Sequence, residues 1–355
     1  MTAAEALRYA RQIRLPDVGV EGQRRLSQAS ALVIGAGGLG APALHHLVAS
    51  GVGRLGFVEF DTVDVTNLHR QTLYATDDVG SPKVEAATTR LRQVNPDVTV
   101  EPHAVKLTAQ NAGELIGAYD LVLDGSDTFA TRYVVNDASV QTGTPNVFAS
   151  VSQFSGQASV FGAENGPCYR CLFPEPPPPD LIPNCEDGGV LGVVPSLMGT
   201  IQAAEALKWF LGLGESLVGR LLMIDVLGFD VREIAVAKDP DCPVCGTGPK
   251  PKHLPVEEAR EVTVSDLRQR LADDPPVLLD VREPAEREAG HIGGRHIPLG
   301  ELDDRLAELT DVDGREIVAY CKSGARSARA ASLLRDKGFR VASLRGGIEA
   351  WNAQP

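Results

Sequence analysis

Residues 29–44 read Ala-Ser-Ala-Leu-Val-Ile-Gly-Ala-Gly-Gly-Leu-Gly-Ala-Pro-Ala-Leu. The apolar run to Ile34 predicts a buried strand, the glycines Gly35, Gly37, Gly38 and Gly40 a tight turn, and the pattern through Leu44, Leu47 and Val48 a helix. Backbone amides free of side chains can approach a pyrophosphate there, and the N-terminus of the following helix adds a favourable dipole. Glu59 ends a second predicted strand, Leu55–Phe60, nineteen positions after Gly40. That is close to the ~20-residue offset at which an acid reaches ribose hydroxyls. A third predicted strand, Leu121–Leu123, runs into Asp124-Gly125-Ser126-Asp127. Acids thus gather at strand C-terminal ends, where open parallel sheets bind ligands. The reading is an α/β fold with a doubly wound, Rossmann-like sheet and an adenine nucleotide, with NAD and ATP still undistinguished.

Asn67, Arg70, Gln71 and Lys83 follow the second strand with two cations and two amides. Each cation alone reads equally as surface charge. Together with the glycine loop they suit a triphosphate better than a nicotinamide, and Asp127 is placed to hold Mg²⁺ beside phosphate oxygens. ATP and magnesium are the expected cofactors.

The whole chain has 355 residues, 43% hydrophobic and 23% charged. At about 150 residues per domain this predicts two globular domains with full cores. A net charge of −13 disfavours direct nucleic-acid binding. Met1–Arg14 has no apolar signal core, and the longest apolar stretch, Ala31–Leu44, is broken by four glycines and a proline. A cytoplasmic protein that does not enter the membrane is expected. Pro174–Pro179 reads as an extended loop, Val194–Leu213 as a helix, and the region 219–237 as strands. Thr247–Glu258, with Pro249, Pro251, His253 and Pro255, reads as a linker. Beyond it, predicted strands Val277–Asp280, Ile317–Cys321 and Val341–Leu344 alternate with amphipathic segments near 265–272, 301–309 and 326–337, a second small α/β unit. The division is therefore 1–246, a linker 247–260, and 261–355.

Six cysteines are too few for a disulfide framework. Cys168-Tyr169-Arg170-Cys171 and Cys242-Pro243-Val244-Cys245 offer four thiolates, the usual set for structural zinc, across a gap of 70 residues. Cys185 lies outside both pairs after the proline-rich loop. Cys321 ends an apolar strand and begins Cys321-Lys322-Ser323-Gly324-Ala325-Arg326-Ser327, a short loop running into a helix. Amides in such a nest hold an anion, and a thiolate is favoured there. Seven cations lie between Lys322 and Arg345, opposed in that stretch only by Asp336.

Residues 1–246 resemble the ubiquitin-activating-enzyme-like adenylyltransferases that activate ubiquitin-fold sulfur carriers for molybdopterin and thiamine synthesis. The likeness is carried by Arg8-Tyr9-Ala10-Arg11-Gln12, the glycine loop, Asp61 to Asn67-Leu68-His69-Arg70-Gln71, Pro82-Lys83, Asp124–Asp127 and Cys185-Glu186-Asp187-Gly188-Gly189-Val190. The resemblance implies that Arg70 and Lys83 contact ATP phosphates, Asp127 binds Mg²⁺, Glu59 binds ribose, and Arg11 reaches the phosphates of a neighbouring subunit in a homodimer. It also makes Cys185 a candidate acceptor of the activated carrier. The Cys321 loop, Asp280-Val281-Arg282-Glu283, Gly290-His291-Ile292, His296-Ile297-Pro298 and Arg345-Gly346-Gly347-Ile348-Glu349-Ala350-Trp351 resemble a rhodanese domain. Four residues separate Cys321 from Arg326, where related phosphatases place five, so the smaller cradle suits a persulfide. His291 and His296 read as structural. The implied function is adenylylation of a carrier ending in Gly-Gly, then transfer of persulfide sulfur supplied by a donor such as a cysteine desulfurase. The alternatives are a nucleotide-dependent oxidoreductase fused to a sulfur-handling domain, and a non-catalytic nucleotide-binding scaffold.

Overall fold

The computed structural model describes residues 2–176, 189–247 and 260–353, apart from 274, 310, 311 and 313. They fall into two compact units. Cys185, residues 177–179 of the proline-rich loop and most of the 247–260 stretch lie outside the described residues.

In the first unit the strands are β1 (Ser30–Ile34), β2 (Arg54–Val58), β3 (Thr99–His103), β4 (Leu121–Asp124), β5 (Asn146–Ser152), β6 (Ser155–Phe161), β7 (Arg220–Asp225) and β8 (Asp230–Ala235). They form one sheet in the order β3-β2-β1-β4-β5-β6-β7-β8. The first five are parallel and the last three add antiparallel. Strand alternation splits the apolar residues between two cores. Ala31, Val33, Leu55, Phe57, Leu121 and Leu123 belong to one, and Leu32, Ile34, Val58 and Val122 to the other. A parallel sheet covered on both faces requires that double apolar load. The order reverses between β1 and β4, which places a ligand crevice at the C-terminal ends of those strands.

The second unit holds β9 (Glu261–Val262), β10 (Val277–Asp280), β11 (Arg295–His296), β12 (Ile317–Tyr320) and β13 (Val341–Leu344). This sheet is parallel throughout, in the order β11-β10-β12-β13-β9. It too has two cores, with Leu279, Ile317, Ala319 and Val341 on one face and Leu278, Val318, Tyr320 and Ala342 on the other. Arg260, the last residue of the expected linker, is tied to this sheet, its carbonyl accepting the N–H of Ser343 at 2.7 Å.

The amphipathic segment near 301–309 is not an α-helix. It forms two 3₁₀ turns, Leu299–Glu301 and Leu306–Leu309. Leu302 and Leu309 are buried, so the apolar spacing does mark a core-facing segment. Its start is pinned by the Leu299 N–H to the Val281 carbonyl at 3.1 Å, and tight turns satisfy the same spacing. Among the described residues no helix is long and apolar enough to cross a membrane.

Candidate functional site

The glycine loop sits where β1 meets β4. Gly35 has φ +84°, and a Cβ on Gly40 would stand 1.8 Å from the Gly35 carbonyl oxygen. A Cβ on Gly125, just past β4, would stand 3.1 Å from the Gly40 nitrogen. Only bare backbone lets these two turns touch. Glu59 lies just past the end of β2, buried, and its carboxylate accepts three backbone N–H groups: Ala36 at 3.0 Å, Phe60 at 2.8 Å and Asp61 at 3.0 Å. Tyr74 donates its hydroxyl to the Ala36 carbonyl at 2.9 Å. Ala36 is therefore held from both sides, a support that neither the ribose reading of Glu59 nor anything local to Tyr74 revealed.

Arg70 and Gln71 lie against this loop. A Cβ on Gly38 would lie 3.7 Å from Arg70 Cγ, and one on Gly37 would lie 3.6 Å from Gln71 Nε2. Arg70 donates to the Thr66 carbonyl at 2.9 Å. Asn67 accepts the Asp64 N–H at 3.4 Å. Lys83 is buried, with its ammonium 3.6 Å from the Asp61 carboxylate. Asp127 is exposed beyond β4, and Arg11 is exposed on the short helix Ala10–Ile13. The turn that carries Asp127 is organised from beneath by Asp124, which is fully buried and accepts the Ser126 N–H at 3.0 Å and hydroxyl at 2.6 Å. Burial pushes the Asp124 carboxyl above the usual carboxylate range.

The two Cys-x-x-Cys pairs converge. Sγ separations are 3.5 Å for Cys168–Cys242, 3.3 Å for Cys171–Cys245 and 3.9 Å for Cys168–Cys171. All four sulfurs lie within 4.8 Å of one another. Zinc bonded to sulfur at ~2.3 Å in a tetrahedron spaces its ligands by about 3.8 Å, so the donor set fits that ion and leaves no open position. Burial, then the neighbouring thiols, pushes Cys168 up, a cost that a divalent cation reverses. The cluster is anchored to the helix Phe129–Thr142, because the Tyr169 N–H donates to Asn136 at 2.7 Å and Arg170 pairs with Asp137 at 2.8 Å.

In the second unit Cys321 follows β12 and is 1% exposed. Its Sγ accepts the Gly324 N–H at 3.1 Å. Lys322 and Ser323 are exposed on the loop, Gly324 has φ +108°, and Ala325 opens the helix Ala325–Asp336. The turn at Gly346 and Gly347 clasps the loop from behind. The Ile348 N–H donates to the Cys321 carbonyl at 2.9 Å and the Glu349 N–H to the Lys322 carbonyl at 3.1 Å. A Cβ on Gly347 would stand 2.5 Å from both carbonyl oxygens. The His296 ring bonds to the Arg282 carbonyl at 2.8 Å, and His291 Nδ1 accepts the Gly293 N–H at 3.0 Å, as expected of structural histidines.

Four of the seven cations counted along the chain meet acids in the fold. Arg326 forms two 2.6 Å bonds to Glu286. Lys322, Lys337 and Arg345 meet Glu349, Asp303 and Glu261 at 3.7, 3.8 and 3.4 Å. Those acids come from outside the counted stretch, so a window on the sequence could not reveal them.

These features define a nucleotide-binding α/β unit and a cysteine-loop unit carried on one chain. Residues 9–244 match the ThiF family and residues 263–354 the rhodanese-like domain, and the chain belongs to the ThiF family with a rhodanese-like domain at its C-terminal side. It is similar to the sulfur carrier protein adenylyltransferase of Thermus thermophilus, 54% identical over 263 residues, 73% of this chain and 97% of that protein. It is 42% identical over 373 residues to the probable adenylyltransferase/sulfurtransferase MoeZ of Mycobacterium tuberculosis, covering 100% of this chain and 94% of that one. Adenylyltransferase and sulfurtransferase MOCS3 of Drosophila persimilis is 39% identical over 381 residues, covering 99% and 84%. Among solved structures, E. coli MccB with MccA-N7isoASN has a TM-score of 0.61 at 22% identity, covering 68% of this chain and 75% of that one, a likeness of fold.

Proposed function

We infer that this chain is a sulfur-carrier adenylyltransferase and sulfurtransferase. It uses ATP to adenylylate the C-terminal glycine of a ubiquitin-fold sulfur carrier and then passes persulfide sulfur to that carbon, giving a carrier thiocarboxylate. The observation that carries this reading is the presence, on one chain, of both units that its full-length relatives share.

The chemistry follows from the residues. A carboxylate is a poor acyl donor until its oxygen attacks the α-phosphorus of ATP and pyrophosphate leaves with the bonding pair. The attacking group is already ionised, so no general base is needed. In this reading Arg70 and Lys83 balance charge on the departing pyrophosphate, which the closeness of Arg70 to Gly38 supports. In our proposal Asp127 holds magnesium, Glu59 borders the ribose while fixing the loop, and Arg11 serves the partner's site in a homodimer. The four cysteines 168, 171, 242 and 245 hold zinc.

Cys321 then takes sulfur from an upstream persulfide donor such as a cysteine desulfurase. The terminal sulfur attacks the acyl carbon and AMP leaves. Cys185 either holds a transient thioester or attacks Cys321 Sγ, releasing the thiocarboxylate and leaving a Cys185–Cys321 disulfide for an external thiol to reduce. The proposed bounds are 1–246 and 261–355, with 247–260 as the tether that lets the two activities meet. We place the protein in the cytoplasm.

Two variants test the assignment on full-length protein with carrier, ATP and Mg²⁺. Asp127→Ala should lower carrier-dependent exchange of pyrophosphate into ATP by roughly 100-fold or more, the usual scale for losing a group that stabilises transition-state charge. Cys321→Ala should keep that exchange and lose thiocarboxylate, read by mass spectrometry of the carrier. Exchange that ignores the carrier overturns the first half, and thiocarboxylate formed by Cys321→Ala overturns the second.

A further inference from the structure

Beneath Cys321 lie two hydroxyls that the persulfide chemistry above does not use. Ser327 and Ser343 are both buried, and their Oγ atoms are 2.8 Å apart. Ser327 Oγ stands 3.6 Å from Cys321 Sγ and 2.9 Å from the Gly324 carbonyl oxygen. Ser343 reaches them from β13, the strand beside β12.

Proton counting narrows what this arrangement can do. A hydroxyl has one proton to give and two lone pairs to receive. Ser327 faces three acceptors, the Gly324 carbonyl, Ser343 Oγ and Cys321 Sγ, and serves one at a time. The Gly324 carbonyl already accepts the Ala328 N–H at 3.0 Å, so it does not depend on Ser327. When Ser343 donates to Ser327, the Ser327 proton is free to turn to the sulfur. Sγ then has two donors, this hydroxyl and the Gly324 N–H at 3.1 Å. Arg326, a cation on the same loop, is bonded twice to Glu286, and these two donors to Sγ are neutral groups.

Sulfur transfer needs a donor that can turn. In loading from thiosulfate, the Cys321 thiolate attacks the outer sulfur, a new S–S bond forms, the thiosulfate S–S bond breaks, and sulfite leaves with the electron pair. In discharge to cyanide, the cyanide carbon attacks the outer sulfur, the Cys321 S–S bond breaks, and Sγ leaves with the pair as thiocyanate departs. Sγ is thus anionic in one half of the cycle and a neutral disulfide-type sulfur in the other. We propose that Ser327 is a catalytic residue of the sulfurtransferase unit, its hydroxyl turning from the Gly324 carbonyl to Cys321 Sγ whenever that sulfur carries charge, and that Ser343 is the positioning residue that frees its proton.

This proposal rests on the reading of Cys321 as the sulfur-bearing residue, and the experiment separates the two. The full-length protein is assayed with thiosulfate and cyanide as probes and thiocyanate as readout. Ser327→Ala should lower kcat about tenfold, the worth of one hydrogen bond to a charged group, and leave the KM for thiosulfate within about twofold. Ser343→Ala should cost about threefold, and the double variant should equal Ser327→Ala, because Ser343 acts only through Ser327. Carrier-dependent pyrophosphate exchange should stay at the parental rate in all three. A parental kcat for folded Ser327→Ala overturns the proposal, and so do losses that add in the double variant. If Ser327→Ala does not fold, Ser343→Ala decides alone: a threefold loss with intact exchange supports the proposal, and a parental kcat overturns it. Retention of turnover by Cys321→Ala would instead remove the reading of Cys321 itself.

Discussion

At the scale of single residues, the nucleotide crevice depends on atoms that are absent. Gly40 carries no Cβ because one would sit 1.8 Å from the Gly35 carbonyl, a rigid backbone neighbour that cannot swing aside. Gly40→Ala should therefore raise the KM for ATP by more than tenfold and lower stability by about 1–3 kcal/mol, the range for overpacking a well-packed site, read by pyrophosphate exchange and denaturant melts. In the second unit the Arg326 guanidinium, bonded twice to Glu286, holds that carboxyl down to about 2 from 4.5. A folded-state value below the unfolded one adds stability that is complete above pH 4.5 and is lost as pH falls through about 2. The stability difference between the parent and Glu286→Gln should thus be flat above pH 4.5 and shrink toward pH 2, as measured by denaturant melts across that window. A difference that instead grows on acidification would refute the assignment.

Legibility at this scale followed chain distance. The glycines, Glu59 and the Cys-x-x-Cys pairs are short spacings with a direct physical meaning, and the structure brings the four cysteines together. Tyr74, Glu286 and Ser343 acquire their roles only through long-range contacts, to Ala36, Arg326 and Ser327 respectively. No local pattern marks a tyrosine or a serine for such a contact.

At the scale of elements, β1, β2, β4, β10, β12 and β13 were readable as apolar runs buried on both faces, and the region 219–237, read as strands, holds β7 and β8, whereas the parallel strand β3, Thr99–His103, with only Val100 buried, carries no such signal. The helix Val193–Leu211 was readable from its apolar content, but its task was not. Gly199 in that helix lies so close to the glycine loop that a Cβ would stand 2.1 Å from the Leu39 carbonyl and 2.7 Å from Pro42 Cγ. Gln202, one turn on, donates to the carbonyls of Asp124 and Val147 at 2.7 and 2.9 Å. One helix thus braces the end of the glycine loop and the strand that leads to Asp127. Gly199→Val should push the loop out of register and raise the KM for ATP by about tenfold or more, an effect of the size that misplacement by an ångström produces. Thiocyanate formation by the second unit should be unchanged. A parental KM for ATP would mean that the loop does not rely on this helix.

At the scale of the whole molecule, each unit has its own sheet and its own apolar cores on the two faces of that sheet, and each carries one half of the chemistry. The cysteine cluster belongs wholly to the first. It staples the segment after β6 to the segment after β8, ties Arg170 to Asp137, and so holds the helix whose N-terminal end follows Asp127. Thiols packed this closely and buried are costly without a cation, and ligation of structural zinc is worth on the order of 10 kcal/mol in small metal-folded peptides. A larger unit with full cores should lose only part of that. At about 2–4 °C per kcal/mol for a unit of this size, Cys242→Ser or chelation should lower one unfolding transition by on the order of 10 °C. Calorimetry of the full-length protein should show that transition move while the other stays. Pyrophosphate exchange should fall with it, and thiosulfate-to-cyanide transfer should persist, because the Cys321 loop is held by its own unit through Ile348 and Glu349. Two transitions that shift together would mean that the halves share a stabilising interface, and an unmoved pair would mean that the four sulfurs contribute nothing to the fold.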